Sequence, residues 1–208
     1  MKTFGKIILI ALASGGLSQA AVVITASTYT GPTVGIALLG DTAAPLTSGN
    51  RCWSVGWYPV GFNFATATPA TILSNFTYFG AAAQVTNWQG NVGISSNISM
   101  TLPANDTTYT GKVIYTLVGN ATTLAAATEF AVLTNNTTFP VVDGAGNGSG
   151  AIATLTSASV KYGTVLSQGN FTEPSGMTFA SGVQLVPEPS AALLGALGVL
   201  GLLRRRRI

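Results

Sequence analysis

The sequence predicts an all-β fold, a β-sandwich of about nine short strands. Three observations carry that expectation. Thr, Val, Ala, Gly, Asn and Ser dominate the interior of the chain, a composition suited to extended backbone and turns rather than helix. Long apolar stripes at helical spacing are missing. Short β-rich runs recur instead between clusters of Gly, Pro, Asn and Asp. A β-helix or solenoid is the runner-up architecture, but no fixed-period repeat supports it.

The elements follow in order. Ala21–Thr30 and Thr33–Leu39 are strands divided by Gly31-Pro32. After the break at Ser48-Gly49-Asn50, Cys52–Phe64 forms the third. Pro69 to Phe76 is a short helix with Pro69 near its start, where a missing N–H does no harm. Asn91–Leu102 is a strand closed by Pro103-Ala104-Asn105-Asp106. Lys112–Val118 carries apolar residues on both faces, which predicts a central strand covered on both sides. Gly119-Asn120 turns the chain toward Glu129–Thr134, and Asp143 to Gly150 toward Gly150–Ser159. Val160–Leu166 and Met177–Val186 flank the turn at Gly169-Asn170.

The charges separate the chain into three parts. Lys2 and Lys6 stand at one end of the 208 residues and Arg204, Arg205, Arg206 and Arg207 at the other. Between Ala21 and Val186, three basic residues (Arg51, Lys112, Lys161) face five acidic ones (Asp41, Asp106, Glu129, Asp143, Glu173), a net of −2. The overall charge of +3 therefore belongs to the ends. Three scattered cations do not make the basic face that nucleic-acid binding needs.

Residues 1–20 read as a signal peptide. Lys2 and Lys6 precede the apolar run Ile7 to Ala13, Ser14-Gly15-Gly16 breaks it, and Ser18-Gln19-Ala20 sets small residues before a cut between Ala20 and Ala21. The run is too short for a membrane span of roughly 20 residues. Residues 21–185 then form the β-rich extracytoplasmic domain, and residues 186–208 the tail.

The missing residues exclude much chemistry. With no histidine there is no Ser-His-Asp triad, Cys-His dyad or HExxH zinc site, and with one cysteine no internal disulfide. Cys52, beside Trp53, is expected to be buried and inert. Asp143 to Gly150 resembles a calcium loop at first sight. Ala145 and Thr154 occupy the third and twelfth positions, where oxygen ligands are required, so a turn is the better reading. No Lys-Ser/Thr follows its glycines, so it is not a phosphate loop, and no cofactor is expected. Five carboxylates leave room for a hydrolase only where two of them face each other across a cleft. Thr-x-Thr pairs (Thr28/Thr30, Thr66/Thr68, Thr154/Thr156) lack the constant period of an ice-binding face. The eight Asn-x-Ser/Thr positions, Asn120 among them, reflect an Asn/Thr-rich composition. Trp53, Trp57, Tyr58, Phe62 and Phe64 form an aromatic run. Core packing is its first reading and a carbohydrate-stacking patch its second. Trp53, Trp57 and Tyr58 do not all share one strand face without a bulge.

The tail is the most specific segment. Val186-Pro187-Glu188-Pro189 leads into an uncharged stretch of 14 residues, Ser190 to Leu203, and then Arg204 to Arg207. Such a helix would be roughly 21 Å long, a marginal span of a bilayer core of about 30 Å. The arginines would stay on the cytoplasmic side. The prolines on either side of Glu188 hold that segment extended. In this order the three parts resemble the PEP-CTERM sorting signal of bacterial exported proteins, a tail also labelled the C-terminal domain of ice-binding proteins. Pro187, Glu188 and Pro189 match its motif and the four arginines its cytoplasmic stop. The resemblance implies an exosortase-type membrane enzyme as partner, transient residence in the inner membrane through the C-terminal transmembrane helix, and delivery to the cell surface or extracellular matrix. The stretch Gly111 to Val132 is also similar to bodies that precede such tails, which carry no activity to transfer.

Three function classes follow: a non-enzymatic exported surface or matrix protein, a module that binds extracellular polysaccharide, and a carboxylate-based hydrolase. The first fits the sequence best.

Overall fold

The computed structural model describes residues 21–31, 34–46, 49, 51–84, 95–102, 105–143, 148–152, 155–170 and 179–188. They are mostly β-strand. In chain order the strands are β1 (Ala21–Ser27), β2 (Tyr29–Gly31), β3 (Val34–Leu39), β4 (Cys52–Trp57), β5 (Thr77–Gln84), β6 (Ser95–Thr101) and β7 (Tyr115–Gly119). They continue with β8 (Glu129–Leu133), β9 (Gly148–Ile152), β10 (Val160–Tyr162), β11 (Thr164–Ser167), β12 (Ser181–Gln184) and β13 (Val186–Pro187). One short helix, α1 (Pro69–Ser74), precedes β5.

These strands form three sheets: β6-β1-β9, then β10-β8-β7-β4-β5 with β13 also beside β8, and β11-β12-β3-β2. Pairing is antiparallel except for β1 with β9 and β12 with β3. Alternation along the strands sets their faces. Val22, Ile24 and Ala26 of β1 are buried while Val23, Thr25 and Ser27 are half-buried. In the six-stranded sheet, Trp53, Val55, Val118, Ala131 and Leu133 enter one core with Ile24, Ile36, Leu38 and Val183, so residues of all three sheets meet there. The opposite faces of β4, β7 and β8 place Cys52, Leu117, Phe130 and Val132 in a second core with Ile72 of α1, Tyr58 and Leu124. The strand around Leu117 and Val118 is thus covered on both sides, as its sequence predicts.

The helix forms for local reasons. Pro69 occupies its first turn, and Thr68 caps it. The Thr71 N–H donates to Thr68 Oγ1 at 3.3 Å while the Thr68 N–H donates to Thr71 Oγ1 at 2.8 Å, a reciprocal cap with threonine at both positions. Ile72 is the residue it buries most deeply.

The chain changes sheet twice at one corner. Between β10, paired with β8, and β11, paired with β12, Gly163 has φ +129°, a backbone region that L residues with a side chain rarely enter. Between β12, paired with β3, and β13, paired with β8, Leu185 is buried and its N–H donates to the Leu39 carbonyl at 2.9 Å.

Several sequence expectations are corrected. The described residues contain thirteen strands rather than about nine. Ala21–Thr30 is interrupted at the buried Thr28. Cys52–Phe64 ends at Trp57, because Pro59 and Gly61 (φ +81°) turn the chain and a 3-10 turn follows at Phe64–Thr66. Gly150–Ser159 is β9 followed by a 3-10 turn at Ser157–Ser159, and Val160–Leu166 divides at Gly163. Strand β5 was not expected at all. Beyond residue 185, β13 pairs with β8. Among the described residues no helix is long and apolar enough to cross a membrane. Residues 1–20, Pro189, the apolar segment Ser190 to Leu203 and Arg204, Arg205, Arg206 and Arg207 lie outside the described residues, as do 144–147 of the glycine-rich turn.

Candidate functional site: the C-terminal strand and an aromatic groove

Of the residues the sequence assigns to sorting, Val186, Pro187 and Glu188 lie among those described. They are extended, and they are docked. Val186 pairs with Phe130 and Pro187 with Glu129. The Glu188 N–H donates to the Thr128 carbonyl at 2.6 Å. Val186 is half-buried and packs on the second core, whereas Pro187 and Glu188 are exposed. The Glu188 charge reaches Tyr162, where burial first and Glu188 second raise the phenol pKa. At the other end of the domain, Ala21 opens β1, opposite Thr101 of β6; Ala20 lies outside the described residues.

The acceptor strand is held by side chains far from the tail in sequence. Asn120 Oδ1 accepts from the N–H groups of Thr128, at 2.9 Å, and Glu129, at 3.1 Å. Its Nδ2 donates to Thr128 Oγ1 at 3.3 Å, and its backbone N–H donates to the Glu129 carbonyl at 3.3 Å. This amide is engaged in the fold. Glu129 Oε2 accepts the Asp41 N–H at 3.0 Å, and Gln184 Nε2 donates to the Asp41 carbonyl. Burial raises the Glu129 carboxyl above its ordinary range, and the Asp41 charge adds to this; the Asp41 N–H and the Asn120 side chain oppose it.

A second site is a groove of about 570 Å³ between the turn after β4 and the loop before β7. Trp57, Tyr58, Val60, Phe62, Lys112 and Tyr115 are among its lining residues. The aromatic run divides here. Trp53 and Trp57 face the first core, while Tyr58 turns to the other side, stacked on Phe62 at 4.7 Å and edge-on to Phe64 at 4.9 Å. Most of the run is therefore packing. Trp57 is the exception. It is half-buried, edge-on to Tyr109 at 4.8 Å, and the Lys112 ammonium lies 4.2 Å above its ring, a cation–π contact. Val60 is fully exposed at the rim. The groove offers aromatic surface, one cation and no carboxylate in its lining.

Asp41 and Glu129 interact, but neither lines this groove. Among the described residues no group of three or more Cys, Asp or Glu side chains is placed to hold a metal ion. Cys52 is buried, and burial pushes its thiol up to about 12, against a hydrogen bond with the Gly119 backbone that lowers it. Sequence reasoning missed the roles of Asn120 and Thr128. The only local signal was an asparagine at a turn, followed nine residues later by the start of β8.

No protein-family model, no curated protein and no solved structure matches this chain. The tail resemblance therefore rests on its own residues.

Proposed function

We propose that this chain is an exported, non-enzymatic cell-surface or extracellular-matrix protein whose body is a β-sandwich. Its C-terminal PEP-CTERM signal sorts it and is processed by an exosortase-type membrane enzyme. The supporting observation is the state of Val186-Pro187-Glu188. The segment is extended, presents Pro187 and Glu188 at the surface, and directly precedes the apolar stretch and the arginines. An extended backbone is the form in which peptide-processing sites bind their substrates. In this reading the tail holds the body at the outer face of the inner membrane until processing releases it to the surface. Replacing Pro187, Glu188 and Pro189 with alanine is expected to leave the arginine-tailed form in the membrane. Tail loss at the parental rate in that variant would refute the assignment of the motif.

The groove favours a second reading, in which the body binds extracellular polysaccharide. Trp57 and Val60 offer apolar surface for the C–H face of a sugar ring, and Lys112 offers a partner for an acidic substituent.

A further inference from the structure

We infer that the folded body latches the sorting motif, so that the processing enzyme reads it only after β13 leaves β8. This rests on the sorting reading above. The segment is pinned at both ends: the Leu185 N–H on the Leu39 carbonyl at 2.9 Å, and the Glu188 N–H on the Thr128 carbonyl at 2.6 Å. In an antiparallel ladder, hydrogen-bonded pairs alternate with non-bonded ones. With Glu188 bonded to Thr128, the pair Pro187–Glu129 falls at the non-bonded position. There the proline nitrogen faces away from β8 and no ladder bond is lost.

The outer edge of the strand is consequently blank of donors. Pro187 has no N–H, and the Glu188 N–H points inward to Thr128. A partner that reads an extended segment by adding a strand needs donors and acceptors along one edge. The docked motif offers it acceptors alone. Pro187 also keeps this edge from templating other chains. A reader that needs the Glu188 N–H must therefore take the segment from β8. Its apparent affinity is the intrinsic affinity multiplied by the fraction of time β13 is released.

The latch has an adjustable part outside the motif. Asn120 fixes the backbone of Thr128 and Glu129, and so the carbonyl that holds Glu188. It acts as a positioning residue. Asn120→Ala leaves the sorting segment chemically unchanged and loosens its acceptor. Thr128→Ala removes only the contact to Asn120 Nδ2 and is the milder companion.

The test uses the full chain in detergent micelles and in the producing cell. Hydrogen exchange is expected to show the Glu188 amide protected at least 10-fold over its intrinsic rate. Asn120→Ala is expected to lower that protection several-fold, with Thr128→Ala in between. Nicking by proteinase K between Leu185 and Ser190, and tail loss in the cell, should rise by a similar factor. An unprotected Glu188 amide would overturn the latch. So would faster nicking with unchanged tail loss, which would mean that the docked motif is read directly. If no variant loses its tail, the sorting reading fails, and exchange and nicking still decide whether the segment is latched.

Discussion

The Glu188 N–H and the Thr128 carbonyl, 60 residues apart in the chain, meet at 2.6 Å. That bond makes the segment before the apolar tail part of the sheet. The β-rich body and this segment are therefore joined by the register of β13 on β8, in which Val186 lies opposite Phe130 and Pro187 opposite Glu129.

Glu129 should impose a pH dependence on stability. Burial, then the neighbouring Asp41 charge, raises its carboxyl above the ordinary 4.5. Between the ordinary and the raised value the folded state holds more protons than the unfolded one. Stability therefore falls as pH rises through that interval. Glu129→Gln keeps an oxygen for the Asp41 N–H and should flatten the slope. Urea unfolding from pH 4 upward checks this; an unchanged slope in the variant would assign it elsewhere.

Thr116 carries a hydroxyl in the wrong surroundings. It is fully buried, and its Oγ1 finds no partner among the described residues. Leu133 and Val55 are its cross-strand neighbours. Thr116→Val should stabilise the domain by about 1 kcal/mol, the desolvation cost of an unpaired hydroxyl. A rise in Tm of about 2–4 °C is expected. A fall would place an unseen partner on that oxygen.

Cys52 should be silent in the folded protein. With its thiol pushed up to about 12 and the side chain fully buried, little thiolate is available to a disulfide reagent at pH 8. Labelling by such a reagent should appear only across the unfolding transition. Rapid reaction of the native protein would contradict the packing of the second core.

The groove is tested with polysaccharides. Trp57→Ala should weaken binding to an acidic polysaccharide by 10-fold or more, on the order of 1.4 kcal/mol. Lys112→Ala should weaken the acidic polymer more than a neutral one, and should cost about 0.5–1 kcal/mol of stability through the lost cation–π contact. Equal, unaltered binding by both variants in affinity electrophoresis would remove the groove as the site.

Much of the fold was legible where the signal is local. The two-faced apolar pattern of Lys112 to Val118 announced a strand between two cores, which the structure places at Tyr115–Gly119, and Pro69 marked the first turn of α1. Strand β5 was hidden because Ala81-Ala82-Ala83 has little strand propensity and Gly80, at φ +72°, breaks the alternation. The strand expected through Phe64 overran because its aromatics continue past the turn at Pro59. The Val186-Pro187-Glu188 segment was legible as extended, since its proline acts on its own neighbours. Its docking was not, because nothing in Val186 or Pro187 names Phe130 or Glu129 as partner. The pairing of Trp57 with Lys112 was equally hidden, as two strands must align before those side chains meet.

The most direct test of the central claim is the mass and C-terminal peptide of the protein from intact cells and spent medium. The account predicts a form that begins at Ala21, lacks Arg204 to Arg207, and is found at the surface or in the medium. A form still ending in Arg204–Ile208 and held in the inner membrane would contradict it and make the tail a plain anchor.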